Sequence, residues 1–137
     1  MLQENTLQLR VQYYETDGQQ RVHHANYLNY FERGRVEMLR VAGLNYKDLE
    51  ADGLLLVVTE IQVRYHTPAA FDDLLTLTTA VTAIKGVRIW HRYRIERGDD
   101  LVVQAESVIA CIDRRGRPCR LPAFFQDLRR RNDRSRS

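Results

Sequence analysis

Only two cysteines occur, Cys111 and Cys119, so a disulfide scaffold is excluded and reduced thiols in a cytoplasmic chain are expected. No apolar run approaches the ~18–20 residues that cross a bilayer. The first ten residues lack a cationic start and a long apolar centre, which argues against a signal peptide. Three prolines and seven glycines are too few for a collagenous repeat. What is present is ordinary: 44% hydrophobic and 28% charged residues, close to globular averages. The 137 residues fit one domain, since ~100–200 residues per domain is usual. No repeat and no linker interrupts them.

The net charge of +3 hides an asymmetry. From Arg114 to Ser137 nine arginines face two aspartates, Asp127 and Asp133, a balance of +7. The remainder carries 12 basic and 16 acidic residues, a balance of −4. A basic tail can attract nucleic acid, phospholipid headgroups or a phosphorylated ligand. The commoner outcome is a solvated chain end, and that is the expectation from about Arg129 onward. The body does not interleave basic and aromatic residues, so no nucleic-acid partner is expected. Peripheral contact with a membrane stays open.

Leu7, Leu9, Val11 and Tyr13 alternate with Gln8, Arg10 and Gln12, the period of a half-buried strand with Tyr13 on its inward face. Glu15 to Arg21 is polar, contains Gly18 and reads as a loop. From Ala25 to about Ala42 the period becomes helical, carried by Tyr27, Leu28, Phe31, Gly34, Met38 and Leu39, and Gly43 ends it. Glycine in mid-helix costs about 1 kcal/mol relative to alanine, which is explained if a strand approaches Gly34 closely. Glu32–Arg35, Arg33–Glu37 and Glu37–Arg40 have pairing spacing. A short helical turn at Tyr46–Asp52 follows. Leu54–Thr67, Leu74–Ile84, Val87–Glu96 and Leu101–Ile112 then read as strands, punctuated by Pro68, Lys85-Gly86 and Gly98-Asp99-Asp100. Such short breaks predict hairpins and an antiparallel meander. Ala123 to Arg131 reads as a last short helix. One strand, one long helix and four strands make an α+β arrangement. The helix is apolar over more than half its circumference, which predicts a sheet curling around it.

Chemically useful side chains are densest between Tyr13 and Tyr27. That segment leads from a strand into the N-terminus of the long helix. Unpaired N–H groups and a partial positive charge there suit a developing oxyanion. Asp17, in the preceding loop, can serve as a nucleophile or as a base for water. The plainer readings are a turn-forming Asp17 and a solvated or core-bonded His23 and His24. A metal site is not expected, because His66 and His91 each stand alone on a predicted strand. There is no CxxC pair, no GxSxG elbow and no glycine-rich phosphate loop.

The run Tyr13-Tyr14-Glu15-Thr16-Asp17, followed by Val22-His23-His24-Ala25-Asn26-Tyr27 and on to Arg40, resembles the signature of the hotdog-fold acyl-CoA thioesterases. It is similar in particular to the 4-hydroxybenzoyl-CoA thioesterase/YbgC-like group. Val63 to Ala69, with Asp72-Asp73 after it, resembles the group's second-strand region. In order and length the similarity covers roughly Leu7 to Asp113. It implies a hotdog fold, with a curved antiparallel five-stranded sheet wrapped around one long central helix. It also implies hydrolysis of acyl-CoA to a carboxylic acid and CoA. Asp17 falls on the family's catalytic carboxylate and His24 on the histidine at the helix start. Tyr13 falls on the tyrosine associated with this site in YbgC-like members. No metal or bound cofactor is implied, because CoA is part of the substrate. Acyl carrier protein is an alternative acyl donor.

The resemblance further implies a homodimer or homotetramer with substrate at the subunit interface. Arg64, Arg88 and the tail arginines become candidates for the CoA phosphates. The sequence departs from the pattern at Gln20, where many relatives have glycine, and Gly18 is then expected to take over as the flexible point of the loop. Hotdog folds also host dehydratases and non-catalytic acyl-thioester binders, so fold alone does not fix the reaction. The dehydratases want a His and a Glu across the central helix. Glu32 and Glu37, with arginines at pairing distance, read instead as surface salt-bridge residues.

Overall fold

Along β4 (Arg88–Arg97), Ile89, His91, Tyr93 and Ile95 are buried while Arg88, Arg92 and Arg94 face solvent. Such alternation gives the sheet one apolar and one polar face. The computed structural model describes residues 3–136, with side chains as far as Arg131. The other strands are β1 (Gln3–Arg10), β2 (Leu55–Tyr65), β3 (Leu74–Lys85) and β5 (Asp100–Ile112). All five form one antiparallel sheet in the order β1-β3-β4-β5-β2. The β3, β4 and β5 strands are joined by the expected tight turns. The meander stops there, however: β2 pairs with β5 at the far edge and not with β3. The connection from β2 to β3 holds Pro68 and is too long for a tight hairpin, so it carries the chain across the layer. Bulges between Val58 and Glu60, Val81 and Ala83, and Ile95 and Glu96 bend the ladders and curve the sheet.

The sheet curves around one side of α1 (Asn26–Val41). Tyr27, Tyr30, Phe31, Gly34 and Met38 are buried against it. Each fully buried aromatic of this kind stabilises the fold by roughly 1.5–3 kcal/mol. Gly34 is where the strand comes closest. A Cβ there would stand 2.2 Å from Thr79 Oγ1 and 2.9 Å from Leu77 Cδ2, both on β3. The opposite flank of α1 is open: Leu28, Glu32, Arg33 and Arg40 are exposed. Of the three ion pairs with helical spacing, only Arg40–Glu37 forms among the described residues. Arg35 instead donates to the Tyr93 hydroxyl at 2.9 Å.

Two apolar clusters flank Gly34. One gathers Tyr27, Tyr30 and Phe31 with Leu9, Val11 and Leu77. The other gathers Met38 and Leu39 with Val81, Ile89 and Ile109. The short helix α2 (Tyr46–Ala51) matches the predicted turn. A third helix, α3 (Ala123–Arg136), runs beyond Arg131 and closes the second cluster with Phe125 and Leu128. The side chains of Arg134 and Arg136, counted in the basic tail, lie outside the described residues.

Candidate active site

The strand period ends before Tyr13 because a 3-10 turn, Tyr13–Glu15, intervenes. The Gln12 N–H donates to Glu15 Oε1 at 2.7 Å, and the Glu15 N–H donates back to the Gln12 carbonyl at 3.0 Å. This turn sends Glu15 inward and leaves Tyr13 67% exposed, which corrects the inward placement expected from the alternation. Glu15 Oε1 also accepts the buried Tyr30 hydroxyl at 2.8 Å, tying the turn to α1. Burial, then the bond to Glu15, holds the Tyr30 phenol far above its usual pKa. Beside them the Asn26 Nδ2 is buried, with no hydrogen bond of normal geometry among the described residues.

Asp17 is exposed in the loop that follows. Its Oδ1 accepts the Gln19 N–H at 2.8 Å and the Arg21 N–H at 3.3 Å, while Oδ2 takes no hydrogen bond among the described residues. The bond from Gln19 is the largest cause holding the carboxyl below its usual pKa, with smaller help from the Arg21 N–H and the charges of His23 and Arg21. The loop is closed by backbone bonds from Asp17 to the Arg21 carbonyl at 2.8 Å and from Gln20 to the Asp17 carbonyl at 3.0 Å. Gln20, not Gly18, takes the left-handed conformation, with φ of 63°. The expected relocation to Gly18 therefore does not occur. The Gln20 carbonyl is held by the Phe71 N–H at 3.1 Å, which fixes this backbone position.

The entry to α1 is built around His23. Its carbonyl accepts the Asn26 N–H at 2.8 Å and its Nδ1 accepts the Ala25 N–H at 3.1 Å. The His24 ring stacks on His23 at 4.4 Å. The His24 carbonyl accepts the Tyr65 hydroxyl at 3.0 Å. No side chain caps the helix, and the His24 N–H has no bond among the described residues. A second loop supports this entry: the Val22 N–H donates to the Ala69 carbonyl at 2.8 Å, and Phe71 meets the Tyr13 ring edge-on at 5.5 Å. Arg97, at the end of β4, pins that loop through Pro68 O and Asp73 Oδ2, each at 3.0 Å.

Asp17, His24 and Tyr13 thus share one exposed junction, but no direct contact joins the three. Among charged groups His23 is the histidine that acts on Asp17. A groove of about 770 Å³ runs beside α1 past Tyr14, Glu15 and Asn26, and its lining does not include Tyr13, Asp17 or His24. Sequence reasoning missed the Glu15–Tyr30 bond and the Tyr65–His24 bond. These partners are separated by 15 and 41 positions, so no local period signals them. Asp73 was marked only by resemblance.

The thioesterase-like superfamily model matches residues 11–128. The chain belongs to this superfamily. It is 37% identical over 106 residues to the acyl-CoA thioesterase YbgC of Haemophilus influenzae, covering 77% of this chain and 78% of that one. It is 35% identical over 106 residues to the acyl-CoA thioester hydrolase YbgC of Escherichia coli, covering 77% and 79%. A probable thioesterase from Bartonella henselae superposes with a TM-score of 0.83 at 38% identity, covering 87% of this chain and 99% of that one. The protein is therefore a YbgC-like hotdog thioesterase, a hydrolase. This membership decides against the dehydratase and non-catalytic readings. No helix of this thioesterase, among the described residues, is long and apolar enough to cross a membrane.

Proposed function

We propose that the chain hydrolyses acyl-CoA thioesters through Asp17. The observation that supports this is a carboxylate kept ionised by backbone N–H groups, with Oδ2 unbonded among the described residues, on the loop that enters an uncapped helix. Asp17 acts as nucleophile on the thioester carbonyl or as base for water. In either case an acyl–oxygen bond replaces the acyl–sulfur bond, and the CoA thiolate leaves and takes up a proton. As base Asp17 delivers water, whose oxygen enters the acid directly; as nucleophile it forms a mixed anhydride that water then cleaves, restoring the carboxylate. The His24 N–H, which has no bond among the described residues, serves the carbonyl oxygen, the position where negative charge develops. The His24 ring and Tyr13 line the substrate's approach and do not take part in bond making. The exposed Leu28 and Tyr65 beside this junction fit cover by a second copy of the chain, so the working unit is a homodimer or a pair of dimers. CoA, the carrier used by the YbgC acyl-CoA thioesterases, is the acyl carrier; Arg64 and Arg88 are exposed and available to its phosphates.

The test is release of free thiol from a panel of acyl-CoAs. Asp17→Asn should lower kcat by ~10²-fold or more on the best substrate, the scale of a positioned acid–base group. His24→Ala and Tyr13→Phe should each cost less. Near-normal turnover by a folded Asp17→Asn protein would overturn the assignment. Single turnover in ¹⁸O-labelled water separates the routes: direct attack by water labels the product acid and leaves Asp17 unlabelled, whereas an anhydride opened at the Asp17 carboxyl labels Asp17 and leaves the product acid unlabelled.

A further inference from the structure

Away from Asp17, the middle of α1 borders a cavity of about 280 Å³, enclosed by α1, α2, β2, β4, β5 and α3. Its walls include Leu39, Leu56, Ile109 and Phe125, and Arg35 and His91 bring polar groups to them. His91 is only 4% exposed, and its Nδ1 is buried with no hydrogen-bond partner. An orphaned buried polar atom usually costs about 1–3 kcal/mol. A neutral imidazole carries one N–H, and on Nδ1 it would be a buried donor with no acceptor among the described residues, which a carboxylate oxygen would supply. Arg35 gives one N–H to Tyr93 Oη at 2.9 Å and lies 5.9 Å over the same ring. The Tyr93 hydroxyl is 2.6 Å from Ser107 Oγ, so that oxygen pair is already satisfied. Arg35 makes no ion pair among the described residues. Its charge is partly buried.

We propose that this cavity binds a small organic carboxylate, its apolar body against Leu39, Leu56, Ile109 and Phe125 and its carboxylate between Arg35 and His91. The pairing of chemistry and shape is specific. Pockets for small molecules are mostly apolar with a few placed polar groups, and a guanidinium fork is matched by a carboxylate. Glu32 and Glu50 also line the cavity, but both are exposed, so they stand at its solvent side. They disfavour an anion held at the mouth and leave the inner end, beside Arg35, as the seat of the charge. Tyr46 directs its hydroxyl to the Leu56 carbonyl at 3.0 Å and does not compete for the ligand. Burial, helped by the charge of Arg35, lowers the His91 pKa to about 3, which keeps the ring neutral and leaves Arg35 as the cation of the site.

This site does not depend on the role given to Asp17, and its test reads binding. Benzoate and its neutral counterpart benzamide are titrated calorimetrically into the full-length chain. Benzoate should bind at one site per chain and at least tenfold more tightly than benzamide. Arg35→Met and His91→Phe should each weaken benzoate by about tenfold or more, the usual scale for a charge-assisted bond. Asp17→Asn should leave the affinity unchanged. If Arg35→Met fails to fold, Val36→Phe is the second variant, because it fills the cavity from the helix side and keeps every charge; it should also abolish binding. Equal affinity for benzamide, or benzoate binding that survives Val36→Phe but changes with Asp17→Asn, would overturn the proposal.

Discussion

At the start of α1, Asp17 and His23 stand in water and are bonded: Asp17 takes two backbone N–H groups, and His23 takes two more on its ring and carbonyl. Past the middle of the same helix the polar groups are enclosed: His91 lies among apolar neighbours with an orphaned nitrogen, and Arg35 forms no ion pair among the described residues. The difference shows what each region can do. An exposed carboxylate stays charged at almost no cost and can meet a substrate from solvent. An enclosed imidazole is forced neutral, and its lack of partners is a standing penalty on the fold. Gly34 divides the two regions, at the point where helix and sheet lie closest.

The largest effect expected from this contrast is in acid. The His91 pKa is about 3 in the folded chain, below its ordinary 6.5, so the unfolded chain binds the proton first. The stability tied to this group is therefore complete above pH 6.5 and is lost as pH falls toward 3, by about 1.4 kcal/mol per pH unit. Urea midpoints measured from pH 7 to pH 4 should fall more steeply for the native sequence than for His91→Phe. Asp17→Asn should leave this window alone, because the lowered pKa of Asp17 is felt only below its ordinary 3.8. Parallel pH profiles for the native chain and His91→Phe would remove the enclosed half of the contrast.

Next in size is the divide itself. Alanine in place of glycine normally strengthens a helix by about 1 kcal/mol. Gly34→Ala should instead destabilise by about 1–3 kcal/mol, the usual cost of overpacking, because Thr79 and Leu77 occupy the space. A rise in thermal midpoint would mean that helix and sheet are not in contact there.

Smaller again is the bond that anchors the exposed half. A double-mutant cycle with Glu15→Ala and Tyr30→Phe should return a coupling of about 1 kcal/mol. Additive losses would show that the turn holds itself without α1. The smallest effect is at Gln20, whose left-handed backbone costs a side chain more than it costs glycine. Gln20→Gly should stabilise by a few tenths to about 1 kcal/mol, partly offset by the freer unfolded chain. A loss in chemical denaturation would mean that the Gln20 side chain contributes something beyond conformation.

The enclosed half was the more legible in outline and the less legible in chemistry. Val87–Glu96 was read as a strand in a hairpin series, and Gly34 announced the close approach. His91 nevertheless looked like an isolated strand residue, because its meeting with Arg35 depends on how helix and sheet are stacked. The exposed half was marked by its density of polar side chains and by the family resemblance. Its geometry escaped the pattern for a local reason: Glu15 closes a turn that ends the strand period before Tyr13. The edge position of β2 was hidden too, since short breaks report which strands form hairpins and say nothing of which distant strand completes the sheet.

The bulge between Val58 and Glu60 has an evolutionary consequence. Val58 pairs with Ile109 and Glu60 with Val108, so Thr59 is a surplus residue in the ladder. It works as a phase shifter: with it, both ends of β2 present their apolar side chains inward. A one-residue deletion at Thr59 would leave the chain able to pair but would turn one half of the strand inside out. Length changes in this lineage should therefore accumulate in the loops and be purged from the middle of β2.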